Sequence, residues 1–243
     1  MGKVLLYTSI FGAYDELREV PAQTIDHETR CYTDQDFESA TWQVAKMSLK
    51  FDGDTMLTSR YYKIAPVISD YEFCVYVDGS FQISNPGFLE FMLGRLSGHN
   101  IVLFKHPWRD CAYDEADVCA TIAKYNHQDI TAQKNRYGKE GMPKHYGLWA
   151  CGCFAYRNDR HSMQFRNAWW RELKRTSTMD QISLPYIVRK KSFEKHVNTI
   201  DRDIYNNEYL TYVGHKTEYV STQGRSTKRP RALLRWFRVL NKP

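Results

Sequence analysis

A carboxylate at the end of an apolar run is the first feature of this sequence that could do chemistry. Asp78 follows FCVYV, residues 73–77, and precedes a glycine and a serine. An apolar run without polar alternation is typical of a central strand that helices cover on both faces. Ligands of open α/β sheets bind at the carboxyl ends of such strands, where Asp78 could hold Mg²⁺ or Mn²⁺. The same residues also fit an ordinary Asp-Gly turn.

Two basic residues, Arg60 and Lys63, precede this strand in the segment SRYYKI. Residues at this spacing project from the same face of a helix. Together they could bind the phosphates of a diphosphate. A solvated basic face is the alternative interpretation.

A second concentration of polar residues lies in HPWRDCAYDEA, residues 106–116. Its histidine, arginine and acids suit a pocket for sugar hydroxyls or phosphate. The pattern also fits a capped helix start, with Asp110 or Asp114 as the N-cap and with acids that favour the helix dipole. Both interpretations can hold together, and we expect His106 and Arg109 to be functional.

The elements that must position these residues alternate along the chain. Apolar runs predict strands over 3–10, 29–33, 71–77, 100–104 and 148–156, and apolar spacing predicts helices over 57–67, 86–96, 114–126 and 163–175. This alternation favours an α/β fold with a mostly parallel sheet and right-handed crossovers. No repeat or linker interrupts it before residue 222, so we expect one domain over 1–220, followed by a basic segment over 221–243.

The bulk composition limits the class of protein. With 243 residues, of which 42% are hydrophobic and 26% charged, the chain can bury a substantial core. No stretch is long and apolar enough to span a membrane, and no apolar leader opens the chain, so we expect a cytoplasmic protein. The six cysteines form no zinc-type CxxC pair, and we expect them to be buried, reduced thiols.

Positive charge is concentrated at the C-terminus. The net charge is +6, and the last sixteen residues hold six basic residues and no acid. Pro230 can open a helix, and an apolar stripe follows at Leu233, Trp236, Phe237 and Leu240. Such a helix could lie on an anionic membrane surface or pack on the protein's own body. We expect peripheral attachment to the cytosolic membrane face, and no binding of nucleic acid.

Several motifs occur together in one order: YTSIFGAYDEL, CYTD, SRYYKIAPVISDYEFCVYVDGSFQI, KHPWRDCAYDEA, GLWACGCFAYRND and TSTMDQISLPY. Their order and wording resemble a glycosyltransferase-like family first catalogued as a domain of unknown function, found in bacteria and plants. The resemblance covers residues 4–188. The third motif also resembles the glycogenin-like sugar transferases, in which an arginine-bearing helix precedes a strand that ends in an Asp-x-Asp metal motif.

The resemblance implies a GT-A type fold, which is a single Rossmann-like domain with helices flanking the sheet. It also implies a hexosyltransferase-like enzyme. The donor would be a UDP- or GDP-sugar, and the acceptor a glycan or lipid-linked molecule of polysaccharide biosynthesis. A metal, Mn²⁺ or Mg²⁺, would stabilise the charge that develops on the departing diphosphate. Its implied ligands are Asp78, Ser80 in place of the second carboxylate, and His215 from near the C-terminus.

The remaining site residues are also implied by the resemblance. Asp180 and Gln181 match an Asp-Gln pair near the reacting sugar carbon, where a carboxylate could act as acceptor base or stabilise an oxocarbenium-like centre. Gly152 matches a glycine that lets the sheet approach the donor sugar. The implied donor-binding residues are Thr8, Ser9, Tyr14, Asp34, Arg60, Lys63, Gly79, Ser80, His106, Arg109 and Gly152.

Two other classes of function compete with this interpretation. A nucleotidyltransferase would also use an Asp-held metal, but it should carry a glycine-rich basic phosphate loop, and FGAYDEL contains none. A non-enzymatic membrane- or nucleic-acid-binding adaptor would depend on the basic C-terminal segment. Removing that segment would distinguish an adaptor from a transferase. An adaptor would lose its function, whereas a transferase would still hydrolyse its donor.

Overall fold

A computed structural model of the chain describes residues 2–122 and 124–216. The strands in these residues are β1 (Val4–Ile10), β2 (Glu28–Thr33), β3 (Gln43–Lys46), β4 (Phe73–Val77), β5 (Phe81–Ile83), β6 (Ile101–Lys105), β7 (Trp149–Arg157), β8 (Val197–Ile200) and β9 (Leu210–Tyr212). The helices are α1 (Thr55–Ile64), α2 (Phe88–Gly94), α3 (Ala112–Cys119), α4 (His127–Lys139), α5 (Arg160–Arg175) and α6 (Asp180–Lys190), with short 3-10 helices at Phe51–Gly53 and Glu194–His196.

Seven strands form the central sheet, in the order β3-β2-β1-β4-β7-β6-β8. Strand β7 runs antiparallel to both of its neighbours, and the other six strands share one direction. Strands β5 and β9 pair separately as a small antiparallel sheet. The predicted fold class, a GT-A type α/β domain with a mostly parallel central sheet and flanking helices, is confirmed.

The core lies on both faces of this sheet, because side chains of each central strand alternate between two apolar clusters. In β1, Leu5 and Tyr7 belong to one cluster and Leu6 to the other. Trp169 of α5 packs in the first cluster and Phe88 of α2 in the second. A strand covered on both faces has no polar alternation, which explains the apolar runs that predicted β1 and β4.

Helix boundaries differ from the predictions where side chains cap the helices. Asp54 caps α1 by accepting a hydrogen bond from Leu57 N at 2.8 Å. The helix ends before Pro66, because a proline disfavours helical backbone at the residue that precedes it. The predicted helix over 114–126 is too long, because α3 ends at Cys119 and Asn126 already caps the next helix, α4. The N-cap of α3 is Cys111, so the interpretation that Asp110 or Asp114 is the N-cap is wrong.

All six cysteines are buried and free, as predicted. Within the described ranges, no helix has the length and apolar character needed to cross a bilayer. The predicted linker and amphipathic helix over 221–243 lie outside the described residues. Attachment to a membrane through that helix therefore stays a prediction.

Candidate active site

A cavity of about 410 Å³ opens where the parallel strands β1 and β4 end. The end of β1, the loop after β4, the start of β7 and the first turn of α6 contribute to its wall. It therefore lies at the sheet edge where Asp78 was expected to meet a ligand. Ten predicted site residues line it: Ser9, Tyr14, Arg60, Lys63, Asp78, Ser80, Gly152, Asp180, Gln181 and His215.

A buried cluster of opposite charges forms one wall of this cavity. Lys63 Nζ lies 2.8 Å from Asp180 Oδ2 and 3.2 Å from Asp78 Oδ2. Arg60 Nη1 lies 3.2 Å from the same oxygen of Asp180. The helical spacing of Arg60 and Lys63 on α1 thus brings both cations to the carboxylates, and the solvated basic face is wrong for this pair.

The two cations keep the Asp180 carboxylate ionised. Burial alone would raise the pKa of Asp180, but the charges of Arg60 and Lys63 hold it below its usual value. Burial would likewise lower the pKa of Lys63, but Asp180 and Asp78 raise it above its usual value. Two positive and two negative charges therefore face each other in a low-dielectric wall, where each depends on its partners.

A third cation, Lys124, was missed by the sequence analysis. Its Nζ lies 3.2 Å from the hydroxyl oxygen of Tyr14 and 4.7 Å from the ring centroid of Tyr125. Burial and the charge of Arg60 lower the pKa of Lys124 to about 7. In the sequence, Lys124 is a single lysine inside a predicted helix, so no local signal marked it.

Two of the three predicted metal ligands, Asp78 and His215, have partners within the protein. Asp78 Oδ1 accepts hydrogen bonds from the Tyr76 hydroxyl at 2.5 Å and from Lys63 Nζ at 3.3 Å, while His215 Nδ1 lies 2.8 Å from Asp15 Oδ1. In the part of the chain that the structure describes, the carboxylates of Asp15 and Asp78 and the ring of His215 do not converge as one ligand group. The ammonium group of Lys63, which is paired with Asp78, would repel a metal cation at that carboxylate. This arrangement therefore does not fit Mn²⁺ or Mg²⁺ held by Asp78, Ser80 and His215.

Glu115 lines the cavity, whereas the predicted His106 and Arg109 do not. Arg109 Nε donates to Glu115 Oε2 at 2.5 Å, and His106 Nε2 lies 3.9 Å from that oxygen. Burial lowers the pKa of His106 to about 4, and its Nδ1 accepts the backbone N–H of Arg109, so the ring is neutral. Neither His106 nor Arg109 lines the cavity, and both support Glu115, which does. Glu115 Oε1 in turn accepts a hydrogen bond from Gln181 Nε2 at 2.6 Å.

The two predicted glycines are required for packing. A Cβ atom on Gly152 would lie 2.5 Å from Cε2 of Phe81, so the Phe81 ring needs a glycine there. A Cβ atom on Gly79 would lie 2.9 Å from Cβ of Asp15. Gly152 lines the cavity, whereas Gly79 lies behind the wall.

Three predicted donor-binding residues near β1 have structural partners or are covered. The Asp34 carboxylate accepts the backbone N–H of Gly12 at 3.0 Å and so holds the loop after β1. Ser9 Oγ donates to the carbonyl oxygen of Ser59 at 2.7 Å, which ties β1 to α1. Thr8 is buried within β1, and neither Thr8 nor Asp34 lines the cavity.

An aromatic wall also lines the cavity, and no pattern in the sequence indicated it. The rings of Trp108 and Tyr205 stack with centroids 4.7 Å apart and an interplanar angle of 16°. Phe81 and Tyr212 extend this wall in edge contact with each other. A cavity with one apolar and aromatic side and a few fixed polar groups is the usual form of a small-molecule site.

The chain was compared with known proteins. A family model described as "TOD1/MUCI70, glycosyltransferase-like domain" matches residues 62–212, which is more than half of the chain. No curated protein matches it. Similar solved structures include an apo "WbbM bifunctional glycosytransferase", with a TM-score of 0.47 and 9% identity, over 82% of this chain and 39% of that one. They also include a 4-diphosphocytidyl-2C-methyl-D-erythritol synthase from Anaerococcus prevotii, with a TM-score of 0.45 and 9% identity, over 98% and 96%.

Proposed function

The chain belongs to the TOD1/MUCI70 glycosyltransferase-like family, and on that basis we propose that it moves a sugar from a UDP- or GDP-sugar to a glycan or lipid-linked acceptor. The observation that carries this proposal is the group of Arg60, Lys63 and Lys124 in the cavity wall. A nucleotide-sugar places two phosphates beside the reacting carbon, and three basic side chains in one wall, of which Lys63 is fully buried, suit that charge.

Charge balance explains how such a wall could accept a diphosphate. Asp78 and Asp180 compensate Arg60 and Lys63 while no ligand is bound. A phosphate oxygen can share these cations, and its charge favours the protonated form of Lys124. Inside a water-poor cavity such contacts are stronger than in water, and they require little reorganisation during the reaction.

The proposed transfer breaks one bond and forms another at the anomeric carbon. The bond between the anomeric carbon and the diphosphate oxygen breaks, and its electron pair leaves with the diphosphate. The acceptor hydroxyl oxygen bonds to the anomeric carbon, and its proton goes to the departing diphosphate. The cations stabilise the charge that grows on the leaving group. No step is assigned to a metal ion, since the predicted ligand set does not fit one.

Asp180 is proposed to stabilise the sugar carbon as it becomes positive. Its lowered pKa makes it a weak base, because an efficient general base has a pKa near the working pH. A carboxylate that stays ionised suits the electrostatic role better. Gln181 donates one N–H to Glu115, and its remaining N–H would bind a sugar hydroxyl in this proposal.

The aromatic wall is proposed to hold the acceptor. The C–H faces of pyranose rings pack on aromatic rings, and Trp108 and Tyr205 form a stacked pair at the side of the cavity. This supports a glycan acceptor, or the sugar part of a lipid-linked one.

The test is nucleotide binding by the full chain. Thermal unfolding and calorimetry with UDP, GDP and their sugars should show at least one stabilising ligand, because a ligand that binds only the folded state raises stability by about 2.7 kcal/mol at 100 times its Kd. Arg60→Ala should weaken the binding of that ligand. Lys46→Ala, which changes an exposed lysine of β3, should leave the binding unchanged. Absence of stabilisation by every nucleotide and nucleotide-sugar would overturn the proposal.

A further inference from the structure

A second group of potential ligand atoms lies outside the cavity. Cys111, Asp114 and His145 each offer one ligand atom, and these atoms all lie within 4.8 Å of one another. Cys111 is buried, and the other two residues are exposed. None of the three lines the cavity. An ion between them would be reached from solvent through the two exposed residues.

The fold brings this group together from two distant segments. Cys111 precedes α3, Asp114 lies in its first turn, and His145 belongs to the loop between α4 and β7. Gly147 N donates to the carbonyl oxygen of Asp110 at 2.9 Å, which joins the two segments beside the group. His145 has a φ of 53°, an uncommon backbone for a residue other than glycine.

Asp110 supplies an independent indication of a metal site. Its Oδ1 lies 2.7 Å from Nδ1 of His145. Metal-binding histidines usually donate one ring N–H to a carboxylate, which fixes the ring and the tautomer. This contact leaves the other ring nitrogen of His145 for an ion.

We propose that Cys111, Asp114 and His145 bind one Zn²⁺, with a water molecule as the fourth ligand. A thiolate, an imidazole and a carboxylate suit Zn²⁺, whereas Mg²⁺ and Mn²⁺ prefer oxygen ligands alone. On binding, the Cys111 thiol releases its proton to solvent and its sulfur donates to the ion. No oxidation or reduction is involved.

The ion would connect the segment after β6 to the loop before β7. The first of these segments carries Trp108 and Glu115, which line the cavity. The inferred role of Zn²⁺ is therefore structural: it fixes this wall from outside. The inference does not depend on the proposed sugar transfer.

Titration of metal-free full-length protein with Zn²⁺ tests the site. Calorimetry should give one equivalent for the wild type and none for Cys111→Ser or His145→Ala. Asp110→Asn should weaken binding about 10- to 100-fold, as loss of a carboxylate that orients a ligand does. Cys31→Ser and His127→Ala, a buried cysteine and an exposed histidine elsewhere, should bind like the wild type.

Cobalt substitution tests the ligand set directly. Co²⁺ in place of Zn²⁺ should show a thiolate-to-metal charge-transfer band that Cys111→Ser lacks. Asp114→Asn and His145→Ala change exposed positions, so they keep the test valid if Cys111→Ser does not fold. The proposal is overturned if the wild type binds no stoichiometric Zn²⁺, if Co²⁺ gives no thiolate band, or if His145→Ala binds as tightly as the wild type.

Discussion

The ammonium nitrogen of Lys63 lies 2.8 Å from Oδ2 of Asp180, and this contact joins the helix before β4 to the first turn of α6. Both side chains are almost fully buried. A carboxylate that had been expected to face only the reacting sugar is thus also part of a charge network with the cations of α1. In the proposed transfer, this pair of residues would therefore couple binding of the diphosphate to stabilisation of the sugar carbon.

Asp180→Asn should separate chemistry from binding. Removing the negative charge leaves Arg60 and Lys63 more available, so we expect unchanged or tighter binding of the nucleoside diphosphate. Turnover should fall about 10²- to 10³-fold, the usual loss when one stabilising group of a transition state is removed. Calorimetry and initial transfer rates measure the two effects. A parallel loss of affinity and turnover would contradict the role at the sugar carbon, and Asp117→Asn is the control at an exposed ion pair.

Lys63→Met should destabilise the fold. The substitution leaves the carboxylates of Asp78 and Asp180 with less compensation in a buried wall, and breaking such a network costs about 3–5 kcal/mol. Denaturant unfolding measures the free energy of unfolding. Lys134→Met breaks the exposed pair with Asp117 and should cost at most about 1 kcal/mol. Equal effects of the two substitutions would show that the Lys63 network adds no stability.

Binding of a nucleotide-sugar should weaken as the pH rises above about 7, because the pKa of Lys124 is lowered to about 7. Below that pH the ammonium is present and attracts phosphate; above it the free protein carries a neutral amine, and binding must take up a proton. Affinity should fall about tenfold for each unit by which the ligand raises this pKa. Calorimetry across this range with wild type and Lys124→Met checks it. If the affinity of Lys124→Met depends on pH as that of the wild type does, Lys124 does not take part in donor binding.

Added Mn²⁺ or Mg²⁺ should leave the affinity for a nucleotide-sugar unchanged, because Arg60, Lys63 and Lys124 already face the cavity and Asp78 is paired with Lys63. Calorimetry in metal-depleted buffer, with and without the added cation, measures this. The protein should be loaded with Zn²⁺ beforehand, so that the group at Cys111 stays constant. Binding that requires Mn²⁺ or Mg²⁺ would show that the cation displaces Lys63 from Asp78.

Gly152→Ala should destabilise the protein by about 1–3 kcal/mol, the usual cost of overpacking, because the new Cβ would lie 2.5 Å from the Phe81 ring. Gly152→Ala combined with Phe81→Leu should recover part of this loss. Gly138→Ala, in α4, is the matched control, since no atom lies within 4 Å of a Cβ there. A loss that persists in the double variant would point to a constraint other than the Phe81 ring.

Local patterns were sufficient to predict the elements that carry Asp78, Arg60 and Lys63. The apolar run of β4 predicted a strand covered on both faces, and Asp78 does end it at the edge where the cavity opens. The spacing of Arg60 and Lys63 predicted one shared face, since helical periodicity depends only on residues a few positions apart. The buried thiols were predictable for the same reason, because their apolar neighbours lie beside them in the chain.

Only the tertiary structure decided which charges meet. Lys63 is compensated by two carboxylates from other elements, His215 is paired with Asp15 rather than with Asp78, and Lys124 contacts the Tyr14 hydroxyl. Glu115, and not His106 or Arg109, reaches the wall because the turn before α3 points those two side chains at Glu115. Each outcome depends on burial and on partners far away in the sequence, and such energies have no local signature in a single chain.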